Sequence, residues 1–354
     1  MSIDDDIVVA TAERIFTDLA NPQEILHAKD QAWKETLWQA VAETSLPLSW
    51  VPEEHGGVGA SLTVGFGVLR AAGRWAVAVP LAETMLAGWL LSQAGIAAPQ
   101  GRMTVAPGNP RDQVCLGSDG ALTGRARKVP FAQSADHIAV LVSSDRGWMV
   151  ALVPATECAI VAGQNLAGDS ADLVDFSGVH PLSIAPAPEG FDLRSLLLMG
   201  AVVRAQQISG ALETMLEMSV RYATERVAFE RTISKYQAVQ HNLARLGGEV
   251  AAAVSAAGSA ADALAGEGER REAIFLEAAS AKVRCGEAAE KGSGIAHQVH
   301  GAIGFTSEHV LHRMTLRALA WRDDFGAESY WADELGKLVG HLGADELWPL
   351  VASR

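Results

Sequence analysis

Two short stretches of the chain carry side chains suited to gripping an anion. The first is Glu225-Arg226-Val227-Ala228-Phe229, followed by Gln237. A guanidinium matches phosphate oxygens in a forked, charge-assisted geometry, so Arg226 is a candidate phosphate clamp. Phe229 offers a face to a ring system, and Gln237 can donate to a base or a ribose. The second stretch is Gln298-Val299-His300-Gly301-Ala302-Ile303-Gly304-Phe305, ahead of Ser307-Glu308. Gly301 and Gly304 mark a backbone turn, where glycine permits positive φ and lets N–H groups approach a phosphate closely. Ser307 is the expected N-cap of the helix that follows. Both stretches also have a plainer reading: Arg226 paired with an acid at a helix end, Phe229 in the core, the glycines in a tight interhelical turn. No strand precedes Gly-x-x-Gly here, which argues against a Rossmann site.

A third cluster is acidic: Asp323, Asp324 and Glu328 around Arg322. A general base must be a titratable group within hydrogen-bond reach of the proton it takes. Asp324 is the candidate for that role on this chain. The plainer reading makes Asp323 and Asp324 solvated or arginine-paired acids. A helix running through 324–328 would place Asp324 and Glu328 on one face, and Glu328 is expected to partner Arg322 or Lys337.

The elements that must position these groups fall into three blocks. Over 1–100 apolar residues recur at helical spacing, as in Ile7, Ala10, Ile15, Leu19 and again Trp33, Leu37, Ala40, Val41. Asn21-Pro22 breaks that pattern, and the glycines of 47–61 demand an irregular turn. Over 101–190 short β-branched segments at 114–116, 121–129, 137–142, 148–154 and 159–161 read as strands joined by hairpin turns, a small antiparallel β-domain. Over 191–354 long helical patterns at 196–224, 236–266, 270–299 and 308–319 form a four-helix bundle. The alanine-rich run 251–265 favours helix and allows close packing. The fold class is therefore α+β, mainly α, in the order helical domain, β-domain, helical bundle.

Composition narrows the partners. The 354 residues include 28 Lys plus Arg and 42 Asp plus Glu, a net charge of −14 that disfavours nucleic acid. Three cysteines, Cys115, Cys158 and Cys285, fit no zinc or redox spacing, so no metal site is expected and a reduced, cytoplasmic setting is the simplest reading. The acidic start MSIDDDIVVA lacks the basic opening of a secretory signal. The densest apolar run, 85–96, is interrupted by Gly88, Ser92 and Gln93 and reads as a buried helix, not a membrane span.

Taken together, the motifs resemble one family. YATERVAFERTISKYQAVQ at 222–240 resembles the helix junction ER-x-x-F-G…Q of the acyl-CoA dehydrogenases. Gln298 to Phe305 resembles their Q-x-x-G-G-x-G, and Val51-Pro52-Glu53-Glu54-His55-Gly56-Gly57-Val58-Gly59 resembles their P-E-x-x-G-G-x-G turn. All three occur in the family's order, over nearly the whole chain. The resemblance implies FAD between β-domain and bundle, with its adenosine and diphosphate reaching a neighbouring subunit. Arg226 would meet the diphosphate, Phe229 would pack near the cofactor, and Gln237 would meet its adenosine side. Gln298, Gly301, Ala302 and Gly304 would hold a neighbour's adenine and diphosphate. It also implies α,β-desaturation of an acyl-CoA, an oligomer, and electron-transferring flavoprotein as acceptor.

The chain departs from the family at the chemistry. The family's glutamate lies in a Tyr-Glu-Gly-Thr-like stretch. Asp323-Asp324-Phe325-Gly326 matches it, with Phe325 where the glutamate belongs. An alternative family position falls at Gly200 or Ala201. The family's T-E-x-x-x-G-S-D-like flavin loop corresponds to TVAPGNPR at 104–111, and the tryptophan expected near 128–132 is absent. The pocket for this subunit's own flavin ring is thus eroded, while the half-site serving a neighbour is kept. That pattern resembles the shorter, degenerate subunit of heteromeric bacterial dehydrogenases of steroid or bulky acyl chains. The alternatives are a self-sufficient homo-oligomeric dehydrogenase, a flavin-free structural or binding protein on the same scaffold, and a flavin monooxygenase or oxidase.

Overall fold

In the computed structural model, residues 3–28, 30–266 and 271–352 are described, side chains from residue 7 onward. Five helices open the chain: α1 (Ile3–Leu19), α2 (Pro22–Leu26), α3 (Ala32–Glu43), α4 (Leu62–Arg74) and α5 (Leu81–Gln93). The Asn21 side chain accepts from Gln23 N–H and caps α2, so the expected break is a helix start. Between α3 and α4 the chain passes through two 3-10 turns, with Gly56 and Gly59 at φ +92° and +69°. The apolar run of α5 is buried almost throughout.

Eight strands follow: β1 (Met103–Ala106), β2 (Gln113–Leu116), β3 (Leu122–Pro130), β4 (His137–Ser144), β5 (Gly147–Pro154), β6 (Ala159–Val161), β7 (Ala171–Asp175) and β8 (Ser183–Pro186). The sheet order is β6-β7-β3-β2-β4-β5-β8, with β1 also paired to β4. The expectation of an antiparallel sheet needs correction. Both β1 and β2 run parallel to β4, because the β2–β3 hairpin is inserted between β1 and β4 and the chain re-enters the sheet from the same end. A bulge in β3 between Ala126 and Val129 puts Lys128 at φ +54°.

The 33-residue helix α6 (Leu193–Glu225) starts on a capping box between Asp192 and Ser195. A two-residue-strand hairpin, β9 (Val227–Ala228) and β10 (Arg231–Thr232), joins it to α7 (Gln237–Ala265). Next come α8 (Arg271–His300), α9 (Leu311–Asp323), α10 (Glu328–Leu342) and α11 (Leu347–Ala352). Arg270, the expected first residue of the α8 region, lies outside the described residues. Helices α6 to α9 pack pairwise as a bundle, and α4 lies along α6. Their crossing needs glycine: a Cβ at Gly73 or Gly210 would overlap backbone carbonyls of the facing helix, at Gln207 and Arg70. One apolar core runs from the N-terminal helices through the inner face of the sheet into the bundle, and a second fills the β-domain. Among the described residues no helix is long and apolar enough to cross a membrane.

Two expectations about the last turn fail. The helix after the glycine turn starts at Leu311, so Ser307 is not its cap; Leu311 N–H instead donates to His309 Nδ1 at 3.1 Å. The chain is extended at Asp324, so no helix puts Asp324 and Glu328 on one face.

Candidate functional site

Two concave regions hold the sequence-derived candidates. The first, a cleft of about 640 Å³, lies between β-domain and bundle. Gly108, Arg111, Arg127 and Lys128 line it from the sheet side, and Asp324, Phe325 and Tyr330 from the helical side. Its floor is the turn after α9. Phe325 sits there at φ +53°, in the left-handed region that non-glycine residues rarely adopt.

The turn is held from several directions. Trp331 Nε1–H donates to Phe325 O at 3.0 Å. Lys282, buried on α8, donates to Trp321 O at 3.1 Å and Arg322 O at 2.5 Å, which caps the carboxyl end of α9. Arg204, 2% exposed, is the centre of a buried network: Nε–H donates to Asp324 Oδ2 at 2.9 Å, Nη2–H to Glu83 Oε1 at 2.6 Å and Nη1–H to Gln207 Oε1 at 2.6 Å. Burial raises the carboxyls of Glu83 and Asp324, against the pull of Arg204. Burial pulls the Lys282 ammonium down to about 8.

Asp324 thus lines the cleft while engaged by a buried guanidinium. Asp323 is exposed, 4.0 Å from Lys128 Nζ. Glu328 pairs with Arg322, as its position predicted. The two positions where a base was sought face each other. The Phe325 ring lies on the α-carbon of Gly200, and a Cβ there would fall inside the ring carbons. Neither residue titrates.

The second region is a groove of about 640 Å³ between α8 and α9. Gln298, Gly301 and Ala302 line it, with His297, Phe305 and His312. Gly301 is at φ +66°, with nothing within 4 Å of the position of a Cβ. Gly304 is buried beneath the turn, against His297, His300 and Leu311, and is not at the groove surface.

Arg226, Phe229 and Gln237 are not in that groove's lining. They sit at the end of α6, the tip of the β9–β10 hairpin and the start of α7, all exposed. Arg226 has no side-chain partner among the described residues, so the helix-end ion pair does not form. Phe229 is 91% exposed, so it is not core. Phe229 and Glu230 both take positive φ (50° and 67°), the backbone a two-residue hairpin requires and one that Asn-Gly usually supplies. The strain aims Phe229 outward. The two ends are tied together one turn back: Tyr222 on α6 stacks on His300 of α8, with ring centroids 4.6 Å apart.

An unpaired guanidinium, an exposed phenyl ring and a turn with open space at a glycine fit the adenosine diphosphate part of a dinucleotide. Sequence reasoning missed the Glu83–Arg204 network and the Tyr222–His300 stack. The available signal was a charge inside an apolar run, at Glu83 in LAETMLAGW and Arg204 in LLLMGAVVRAQQ.

Comparison with known proteins bears on the fold and the family. The profile of the family "Acyl-CoA dehydrogenase, C-terminal domain" matches residues 191–328. Acyl-CoA dehydrogenase IpdE2 of Mycobacterium tuberculosis is 27% identical over 292 residues, covering 82% of each chain. A chain of the ChsE4-ChsE5 complex from Mycobacterium tuberculosis superposes with a TM-score of 0.83 at 23% identity, covering 95% of this chain and 97% of that one. A chain of the Tcur3481-Tcur3483 steroid ACAD (G363A variant) gives 0.83 at 24% identity, over 96% and 98%. Residues 191–328 thus match the acyl-CoA dehydrogenase C-terminal domain, and over most of its length the chain is similar to acyl-CoA dehydrogenases, an oxidoreductase family.

Proposed function

We propose that the chain is the base-lacking subunit of a hetero-oligomeric acyl-CoA dehydrogenase that introduces an α,β double bond into an acyl-CoA. The observation that carries this reading is the Phe325–Gly200 contact. Where the family resemblance puts a carboxylate, the chain has a phenyl ring and a hydrogen atom, and each fills the other's space. The partner chain then contributes the base and the main flavin pocket.

This chain contributes the other half. FAD, when bound, supplies the hydride acceptor. Arg226 holds the diphosphate by charge-assisted bonds, Phe229 packs near the cofactor, and Gln237 meets the adenosine. Gln298, Gly301 and Ala302 receive the adenine and diphosphate from the groove side, and Gly304 lets the turn close beneath them. The chemical class of the acyl group is steroid-like or bulky, in line with the steroid enzyme among the similar structures. The electron acceptor is electron-transferring flavoprotein, as for the family.

A second reading, a homo-oligomer using Asp324 as base, has one observation in its favour: Asp324 lines the cleft and burial lifts its carboxyl. Absorbance spectra separate the readings. The chain is purified alone and after co-expression with a base-bearing dehydrogenase chain. Flavin retained only in co-expression is expected. A yellow chain bleached by acyl-CoA on its own would sink the proposal in favour of the second reading. No flavin in either preparation would leave a flavin-free scaffold protein.

A further inference from the structure

A cluster of imidazoles surrounds the glycine turn. His297 and His300 end α8, His309 precedes α9 and His312 lies in its first turn. His300 and His309 meet with ring centroids 4.9 Å apart, His297 stacks on Phe305 at 4.2 Å, and Tyr222 covers His300 from α6. These rings join the element that carries Arg226 to the element that carries Gln298.

The hydrogen bonds fix where each proton sits. His300 Nδ1–H donates to Ala296 O at 2.8 Å, which leaves Nε2 as a bare lone pair, buried without a partner. Thr315 donates its hydroxyl to His312 O, so His297 Nε2–H donates to Thr315 Oγ1 at 3.0 Å, and His297 Nδ1 is the bare, buried nitrogen. His309 Nδ1 accepts from Leu311 N–H and caps α9. In all three rings a second proton would either lie buried without an acceptor or displace the helix cap. The charged and titratable groups around them are Arg221 and Tyr222 on α6, Glu290 on α8, Glu308 beside His309, and His312 on α9. Glu290, which lines the same groove, is paired with Arg322 at 3.1 Å. Among the described residues no acid is ion-paired with any of the three rings, and Glu308, beside His309 in the chain, is exposed.

We propose that His297, His300 and His309 form a neutral brace that holds the Gly301–Phe305 turn against the end of α6, and that proton uptake by the brace releases the turn. Its consequence for the cofactor rests on the half-site reading given above. Burial first, then mutual repulsion, holds His297 and His309 below the ordinary histidine value, and burial holds His300 below it. The sign follows. An imidazole that binds its proton less tightly in the folded chain weakens the fold as pH falls below the unfolded value of about 6.5. The loss is about tenfold per pH unit for each proton taken up.

The test is amide hydrogen exchange on the full-length chain at about pH 7.5 and about pH 5.5, corrected for intrinsic rates. Protection over 298–311 is expected to fall about tenfold or more, while α5 keeps its own. His300→Phe preserves a stacking ring without a titrating nitrogen and is expected to flatten that fall. His309→Gln, which keeps an acceptor for the helix cap, serves the same purpose if the phenylalanine variant does not fold. Unchanged protection in the wild type, or an undiminished fall in the folded variant, overturns the proposal. If the turn opens with acid but the flavin content of the assembled enzyme does not follow, the brace stands and the half-site reading fails.

Discussion

The ring of Phe325 rests on the α-carbon of Gly200, one residue from the turn after α9 and the other on the buried face of α6. The two are 125 positions apart and complementary in shape: the ring needs the absent side chain, and the glycine is covered by the ring. Gly200→Ala forces overlap with a ring that the positive φ of Phe325 and the bond from Trp331 hold in place. Overpacking of this kind costs about 1–3 kcal/mol, despite alanine's better helix propensity. Phe325→Ala leaves a cavity and costs about 3–5 kcal/mol. The double variant is expected to cost less than the sum, because alanine at 200 then occupies vacated space. Denaturant titrations of the four proteins measure that coupling, and additive losses would mean the two residues do not touch.

Asp324→Asn separates a base from a structural acid. Arg204 keeps Glu83 and Gln207 but loses a charged partner, so stability should fall by about 1–3 kcal/mol. Turnover of the assembled dehydrogenase should stay within its order of magnitude. A drop of several orders in turnover, with the fold intact, would move the base onto this chain.

The sequence made the three-block order legible because apolar spacing changes from helical to alternating and back at 101–190. Strands β1, β7 and β8 escape it, the first because all four residues are buried and show no alternation. Parallel pairing of β1 and β2 with β4 depends on where a hairpin is inserted, which local pattern does not encode. Arg226, Gln298 and Gly301 are legible through motif spacing. The Arg204 network and the Phe325–Gly200 contact require helices over 100 positions apart to meet, which only the folded chain decides. Ser307 misleads because a histidine two residues later takes the capping role.

Arg226→Ala tests the cofactor half-site. Among the described residues the guanidinium has no partner, so its removal disturbs little in the fold. A charge-assisted diphosphate contact is worth about 1.5–3 kcal/mol, or roughly tenfold to hundredfold in flavin affinity. The assembled enzyme is expected to lose flavin on gel filtration, with thermal stability of the flavin-free protein near wild type. Flavin content equal to wild type after dialysis would remove Arg226 from the site.

Lys282 links the floor of the cleft to pH. Its ammonium is buried, caps two carbonyls of α9, and is pulled by burial to about 8 from the ordinary 10.5. Below about pH 8 the folded and unfolded chains both hold this proton, and the burial cost stands in full. Between about 8 and 10.5 the folded chain releases it while the unfolded chain keeps it. Stability therefore rises with pH across that window, by roughly 3 kcal/mol at its upper end. Lys282→Met, of similar length without a charge, should lose this rise. Urea midpoints measured from about pH 7 to 10.5 for both proteins decide it, since other titrating groups contribute equally to each curve. Parallel curves would mean that Lys282 binds its proton as tightly in the folded chain as in the unfolded one, and the cap of α9 would then be held by a charged ammonium across the range.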